Sequence, residues 1–182
     1  MDMKENEECK CSTTLLLVRH GETVDNVRKI MQGQTQGELT EHGKEQAREL
    51  AAKMENEKVD VFVSSDLRRS VDTCAIVAAP HGVGRDGIVQ TPLLRERDWG
   101  GFTGRYIPDL KDAVWPDDIE TIDELRNRAQ RFLNFVKENF RGKTVLAVGH
   151  GIVNKAIQSV CLGKPMNEIQ RMENAEVRRL VI

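Results

Sequence analysis

The chain has 182 residues, of which 39% are hydrophobic and 31% charged, a length and balance that suit one globular domain with a substantial core. Its net charge of −2 supplies no basic face for nucleic acid or an anionic membrane, so any anion site must rest on a few placed cations. No apolar run approaches the ~20 residues that would cross a bilayer, and residues 1–8 are acidic with no apolar stretch, unlike a signal peptide; a cytoplasmic location is expected.

In chain order, residues 1–12 read as a flexible acidic N-terminal tail and residues 13–182 as a single domain. Cys9 and Cys11 lie in that tail without a second ligand pair at zinc-like spacing, so they read as plain thiols. Cys74 and Cys161 fall on apolar helix faces and read as small core residues. Leu15-Leu16-Leu17-Val18 is an uninterrupted apolar run and reads as a buried strand over about 14–19. It ends on Arg19-His20-Gly21, and Gly21 lets the backbone approach a ligand there. Residues 21–38 read as a functional loop with a short helical piece near 24–30. Thr40 reads as the N-cap of a helix over about 41–56, whose apolar positions Ala47, Leu50, Ala51 and Met54 share one face.

A second strand is expected over 59–63, followed by a helix capped by Ser65 or Asp66, with Leu67, Val71, Cys74, Ala75 and Ala78 as its apolar face and Pro80 as its stop. Residues 88–90 form a short strand, and the glycine-rich segment 94–104 reads as an ordered loop. A long amphipathic helix spans 119–140. A strand over 144–148 repeats the first design by ending on Gly149-His150-Gly151, with a helix beginning directly after it. The last strand lies near 176–182. Strand–helix alternation of this kind predicts an α/β fold with a mainly parallel sheet and helices on both faces.

Every histidine here precedes a glycine, so the dipeptide carries no information by itself; context separates them. His42 in a helical first turn and His81 in a loop read as solvent-exposed. His20 and His150 end buried strands, and in open parallel sheets ligands bind at the carboxyl ends of strands. A neutral imidazole is a competent nucleophile toward phosphorus. A transferring phosphoryl group needs fixed cations and donors around its oxygens, and Arg19, one of Arg68 or Arg69, and the Gly151 amide at a helix start can supply them. A carboxylic acid must then protonate the leaving oxygen; Glu96 and Asp98 are both candidates.

The blocks 17–23, Asn26, Gln32-Gly33, Leu39-Thr40, Gly43, Ser64-Ser65-Asp66-Leu67-Arg68-Arg69, Glu96 with Gly100, and Gly149-His150-Gly151 resemble, in order, the histidine phosphatase superfamily, also called the phosphoglycerate-mutase-like family. The resemblance implies a three-layer α/β/α sandwich. It implies that His20 is the nucleophile and becomes phosphohistidine, that Arg19, Arg69 and His150 hold the phosphoryl oxygens, and that Glu96 is the acid–base carboxylate. It selects Arg69 over Arg68 and Glu96 over Asp98. It further places Asn26 on the phosphoryl group and Thr23 and Gln32 in the same pocket, and it implies no metal or organic cofactor.

Two stretches depart from the family pattern. Gln36-Gly37-Glu38 lacks the aspartate common before the Pro-Leu-Thr of the first loop, and Thr103-Gly104 stands where many phosphatases carry Glu-Gly. Arg68 reads as a solvated helix residue, Arg95 and Arg97 as surface ion pairs, and Trp99 and Phe102 divide between pocket and core. The expected activity is a phosphomonoester hydrolase on a small phosphorylated metabolite. The alternatives are a cofactor-primed phosphoglycerate mutase and, behind it, a non-catalytic phosphoryl-binding module. The short span between Glu96 and the fourth strand, and a chain that stops at the last strand, leave no closing lid, which favours attack by water.

Overall fold

A computed structural model describes residues 12–182; the expectations for residues 1–11, with Cys9 and Cys11, lie outside the described residues. The elements are β1 (Thr14–Arg19), α1 (Val24–Arg28), α2 (Glu41–Met54), β2 (Val61–Ser65), α3 (Arg68–Ala78), β3 (Val89–Thr91), α4 (Ile122–Asn139), β4 (Thr144–Gly149), α5 (Gly151–Leu162) and β5 (Val177–Val181). The strands form one sheet in the order β3-β2-β4-β1-β5. β1 to β4 run parallel, and β5 closes the edge antiparallel to β1.

The uninterrupted apolar runs follow from this layering, because a strand covered on both faces buries every side chain. Leu15, Leu17, Val145 and Ala147 point to one face, where they pack with Leu125, Phe132 and Val136 of α4 and Val153 and Ile157 of α5. Leu16, Val18, Leu146 and Val148 point to the other, against Leu50 and Met54 of α2 and Cys74 and Val77 of α3. The result is a three-layer α/β/α sandwich. Phe132 is fully buried, and truncating it to alanine would cost on the order of 3–5 kcal/mol.

Helix starts are set by local chemistry. Thr40 Oγ1 accepts from the Gly43 amide at 2.9 Å. Thr121 and Glu124 form a reciprocal capping box that delays α4 to Ile122, later than its apolar period suggests. α3 corrects the expectation of a Ser65 or Asp66 cap. Its N-cap is Leu67, which has no side-chain cap bond. The amides of Arg68 and Arg69 instead donate to Gln36 Oε1 at 3.0 Å and Gln36 O at 3.1 Å. Asp66 is engaged by Arg95 Nε at 2.7 Å. The first loop thus caps α3, a contact that no local pattern in the sequence announces.

Gly21 also differs from expectation. An added Cβ there would sit 2.4 Å from the Gly43 carbonyl oxygen, and one on Gly43 would sit 2.0 Å from the Glu22 oxygen. Gly21 therefore allows the end of β1 to touch the start of α2, not a ligand. Cys74 is core, but Cys161 is only half-buried.

Candidate active site

β1 and β4 are neighbours in register, Arg19 opposite Gly149, so the residues that follow, His20 and His150, emerge side by side. Their ring centroids are 5.1 Å apart, at an interplanar angle of 62°. His20 Nδ1 lies 2.7 Å from the carbonyl oxygen of Gly21. A carbonyl only accepts, so Nδ1 carries the proton and Nε2 keeps its lone pair. Burial first, then the Arg69 and Arg19 charges, hold His20 well below the usual histidine pKa, so the ring is neutral at physiological pH. That is the form in which imidazole attacks an electrophile.

His150 has the opposite tautomer. Arg69 Nε donates to its Nδ1 at 3.1 Å, which leaves the proton on Nε2, 3.1 Å from Ser70 Oγ. Burial, followed by Arg69 and His20, pushes its pKa down as well. Arg69 is almost fully buried; its Nη2 donates to the Gly33 carbonyl at 2.8 Å and its Nη1 to that of Thr35. Burial lowers its pKa to about 10, so it remains a cation at neutral pH. Arg68 is exposed and faces Asp72 at 3.5 Å. Arg69 thus lies in the wall of the strand-end cavity and Arg68 does not.

Glu96 and Asp98 separate in the same way. Glu96 lines the cavity at the strand ends; its Oε1 accepts from the amides of Arg97 (2.9 Å), Ile152 (3.1 Å) and Val153 (3.0 Å). It therefore spans from its own loop to the first turn of α5, where backbone N–H groups favour an acceptor. Asp98 is exposed and accepts from the Gly100 amide. Arg128 fixes the Glu96 loop from behind: it donates to the carbonyls of Leu93, Arg95 and Glu96 and pairs with Glu120 at 2.7 Å.

Arg19 donates from Nη1 to the Met172 carbonyl at 2.8 Å, while its buried Nε has no hydrogen-bond partner among the described residues. Asn26 lines the cavity. Its Oδ1 accepts from the Thr23 amide at 3.1 Å, which leaves its NH2 group as the donor it can offer a ligand. Gln32 also lines the cavity. Thr23 stands behind it, capping α1 and donating to Gln32 Oε1 at 3.0 Å. Gly151 begins α5 beneath the Arg19 and Arg171 guanidiniums.

The cavity has a volume of about 280 Å³, and Arg19, His20, Arg69 and Glu96 lie in its wall with Trp99 and Ile107. Phe102 is core, packed with Leu110 and Ile119. Arg95 is an ion pair, as expected, but Arg97 is not: it is buried, with its guanidinium 4.6 Å from the Trp99 ring centroid and 5.6 Å from that of Trp115. A larger, more open groove of about 640 Å³ runs past Asp98, Asp118 and Arg131 and includes neither strand-end histidine. His42 is exposed. His81 is not: it lies half-buried, with its ring 5.2 Å from that of Phe62. Among the described residues no three His, Cys, Asp or Glu side chains cluster as a metal site requires, and no helix is long and apolar enough to cross a membrane.

Sequence reasoning missed Ser70, which holds His150, and Thr73, whose Oγ1 accepts from the Gly21 amide at 3.1 Å and donates to Arg69 O at 2.8 Å. Both lie one helical turn apart on the inner face of α3, a spacing that could have drawn attention to them. It also missed Arg171, which lines the cavity from the segment before β5; a single arginine in an irregular segment gives no pattern to find.

The sequence model of the histidine phosphatase superfamily (branch 1) matches residues 15–182. The chain is 32% identical over 180 residues to the "Probable phosphoglycerate mutase GpmB" of Enterobacter sp. (strain 638), covering 90% of this chain and 82% of that protein. It is 30% identical over 190 residues to the "Metal-independent phosphoserine phosphatase" of Arabidopsis thaliana, covering 91% and 79%. The solved structure described as "Mycobacterial hydrolase 1" superposes with a TM-score of 0.85 at 26% identity, over 93% of this chain and 92% of that one.

Proposed function

Because the chain belongs to the histidine phosphatase superfamily, we propose that it hydrolyses phosphomonoesters of small molecules through a phosphohistidine on His20. One observation carries this reading. His20 is a neutral ring with its proton tied to Gly21, in a cavity that Arg19, Arg69 and Glu96 share. Substrate phosphorus bonds to His20 Nε2 as its ester oxygen departs. Arg19, Arg69 and the Asn26 amide offset the charge on the remaining oxygens, neutral His150 holds Arg69 from behind through its Nδ1, and Gln32 with Ile152 in the first turn of α5 completes the wall. Glu96 gives a proton to the leaving alcohol, which departs neutral. It then takes one from a water molecule whose oxygen bonds to phosphorus as the P–N bond breaks, releasing phosphate and restoring His20.

Relatives named as a phosphatase and a hydrolase support water as the acceptor. The mutase relative makes a second hydroxyl the competing acceptor, and one experiment decides between them. The protein is incubated with an aryl phosphate and assayed for released phosphate and for acid-labile phosphate on His20. It is then given 3-phosphoglycerate with and without a bisphosphate primer. Phosphate release that His20→Ala abolishes is the expected result. Full turnover by His20→Ala overturns the mechanism, and primer-dependent interconversion faster than phosphate release overturns the hydrolase assignment.

A further inference from the structure

Arg69 and Ser70 are consecutive at the start of α3, and the His150 ring is wedged between their side chains. Arg69 Nε lies 3.1 Å from Nδ1 of the ring, and Ser70 Oγ lies 3.1 Å from Nε2. All three side chains are buried, those of His150 and Ser70 completely. Arg69 stands in the wall of the strand-end cavity, whereas both ring nitrogens of His150 are committed to α3.

The protons along these contacts run in one direction. A guanidinium N–H donates and never accepts, so Nδ1 is the acceptor. The ring is neutral, because burial, followed by Arg69 and His20, holds its pKa well below the usual value. A neutral imidazole has a single N–H, here on Nε2, and Ser70 Oγ accepts it. The hydroxyl proton of Ser70 then points to the Gly149 carbonyl at 3.5 Å. That carbonyl also accepts from the His20 amide at 3.1 Å. The chain of hydrogen bonds therefore starts on a permanent cation and ends on the carbonyl that anchors the backbone of the proposed nucleophile.

A partner at Nε fixes the plane of the Arg69 guanidinium, whose Nη groups are spread on the carbonyls of Gly33 and Thr35. Each bond in a buried polar chain strengthens the next. Without the Ser70 oxygen, the Nε2 proton of His150 would be buried with no acceptor, a costly state that the ring leaves by turning, and turning releases Arg69 Nε. The N–H that serves Ser70 is also not available to a phosphoryl oxygen, so the contribution of His150 runs through Arg69.

We propose that Ser70 is a positioning residue for Arg69 and acts through His150: it keeps the tautomer that presents a bare Nδ1 to Arg69 Nε, and so holds the guanidinium in the orientation that receives a phosphoryl group. The catalytic use of this arrangement rests on the phosphohistidine reading; its effect on anion binding does not.

Nitrogen-15 spectra of the unmodified protein at neutral pH should show His150 with a bare Nδ1 and a protonated Nε2; a protonated Nδ1 overturns the proposal even if no variant folds. Calorimetry with inorganic phosphate then follows Arg69. Ser70→Ala should bind phosphate about ten-fold more weakly, the order of one unmade hydrogen bond. In an Arg69→Gln background the same substitution should change affinity by less than about two-fold, because residues that act through one another are not additive. His150→Asn keeps an acceptor on Cγ where Nδ1 stood and should stay within about three-fold of the parent, whereas His150→Gln places its amide where Nε2 stood and should lose about ten-fold. No loss with Ser70→Ala, an undiminished loss in the Arg69→Gln background, or binding by His150→Gln as tight as by His150→Asn overturns the proposal. Phosphate release from an aryl phosphate is measured on the same proteins. No release by the unmodified protein overturns the hydrolase reading, while the phosphate affinities still decide the role of Ser70; release without the expected order of affinities overturns that role alone.

Discussion

Arg69 donates from Nε to Nδ1 of His150 across 3.1 Å, and that contact fixes the tautomer of one histidine while the same guanidinium holds the carbonyls of Gly33 and Thr35. A single buried cation therefore ties β4, α3 and the first loop together at the wall of the strand-end cavity. Arg69→Gln removes charge and fork together and is expected to lower kcat about 10²–10³-fold. It should also cost roughly 1–3 kcal/mol of stability, because buried acceptors lose their donor. Arg69→Lys should recover little of either, since one ammonium cannot span three acceptors set in a fork. Steady-state kinetics with denaturant unfolding checks this; a Lys variant close to the parent in both would contradict it.

The two strand-end histidines make stability depend on pH. Burial and neighbouring arginines lower both pKa values well below 6.5 in the folded protein. In the unfolded chain each returns to about 6.5. Below that pH the unfolded state binds protons that the folded state refuses, so stability is fully present above about pH 6.5 and falls as the solution is acidified toward the folded pKa values. Each histidine contributes a slope of at most about 1.4 kcal/mol per pH unit. Denaturant midpoints followed downward from pH 7.5 should fall, and His20→Asn should remove about half of the slope in the upper part of the window. A flat midpoint over that window, or one that rises, would contradict the assignment.

Gly21 and Gly43 meet backbone to backbone, and this is a packing constraint separate from catalysis. Gly43→Ala would drive a methyl group to 2.0 Å from the Glu22 oxygen, a contact that only backbone movement relieves. The expected cost is about 1–3 kcal/mol or more, with the first loop displaced along with the strand end. Gly84→Ala is the control: nothing lies within 4 Å of its Cβ position, and removing a glycine there should be neutral or stabilise by about 0.4–1 kcal/mol. Thermal melts of the two variants side by side measure the difference, and equal melting temperatures would remove the constraint.

Much of this was legible in the sequence because the informative residues are tied to periodic elements. Buried runs such as Leu15 to Val18 announce strands covered on both faces, and parallel strands place their C-terminal residues at one sheet edge, so His20 and His150 could be paired before any coordinates. Glu96 and Arg69 were harder. Each has a neighbour of the same charge, and spacing alone cannot say that Asp98 turns outward to the Gly100 amide or that Arg68 reaches solvent; the family resemblance supplied that choice. The capping of α3 by Gln36 and the burial of His81 against Phe62 were not legible, since each depends on a contact between segments far apart in sequence. Arg171 belongs to the same class. It lines the pocket from the irregular segment before β5, where Arg178 donates to the carbonyls of Gln170 and Arg171.

Glu96 combines two jobs that substitution can separate. Its carboxylate accepts from the amides of Arg97, Ile152 and Val153, and as the proposed acid–base group it must also exchange a proton with the leaving oxygen. Glu96→Gln keeps an acceptor oxygen for the amides but no longer exchanges protons, whereas Glu96→Ala loses both functions. Both variants should lose about 10²–10⁴ in kcat/KM on alkyl phosphates, whose alcohols need a proton to leave. Only Glu96→Ala should lose stability as well, by about 1–3 kcal/mol, because it strands the first amides of α5. Aryl phosphates with very acidic phenols leave without protonation, so the loss in phosphorylation of His20 should shrink toward unity on them, while dephosphorylation stays slow and phosphohistidine accumulates. Rapid-mixing measurement of the phenol burst against steady-state phosphate release reads the two steps separately. A Glu96→Gln variant whose defect is equal for alkyl and aryl substrates would assign Glu96 a positioning role only.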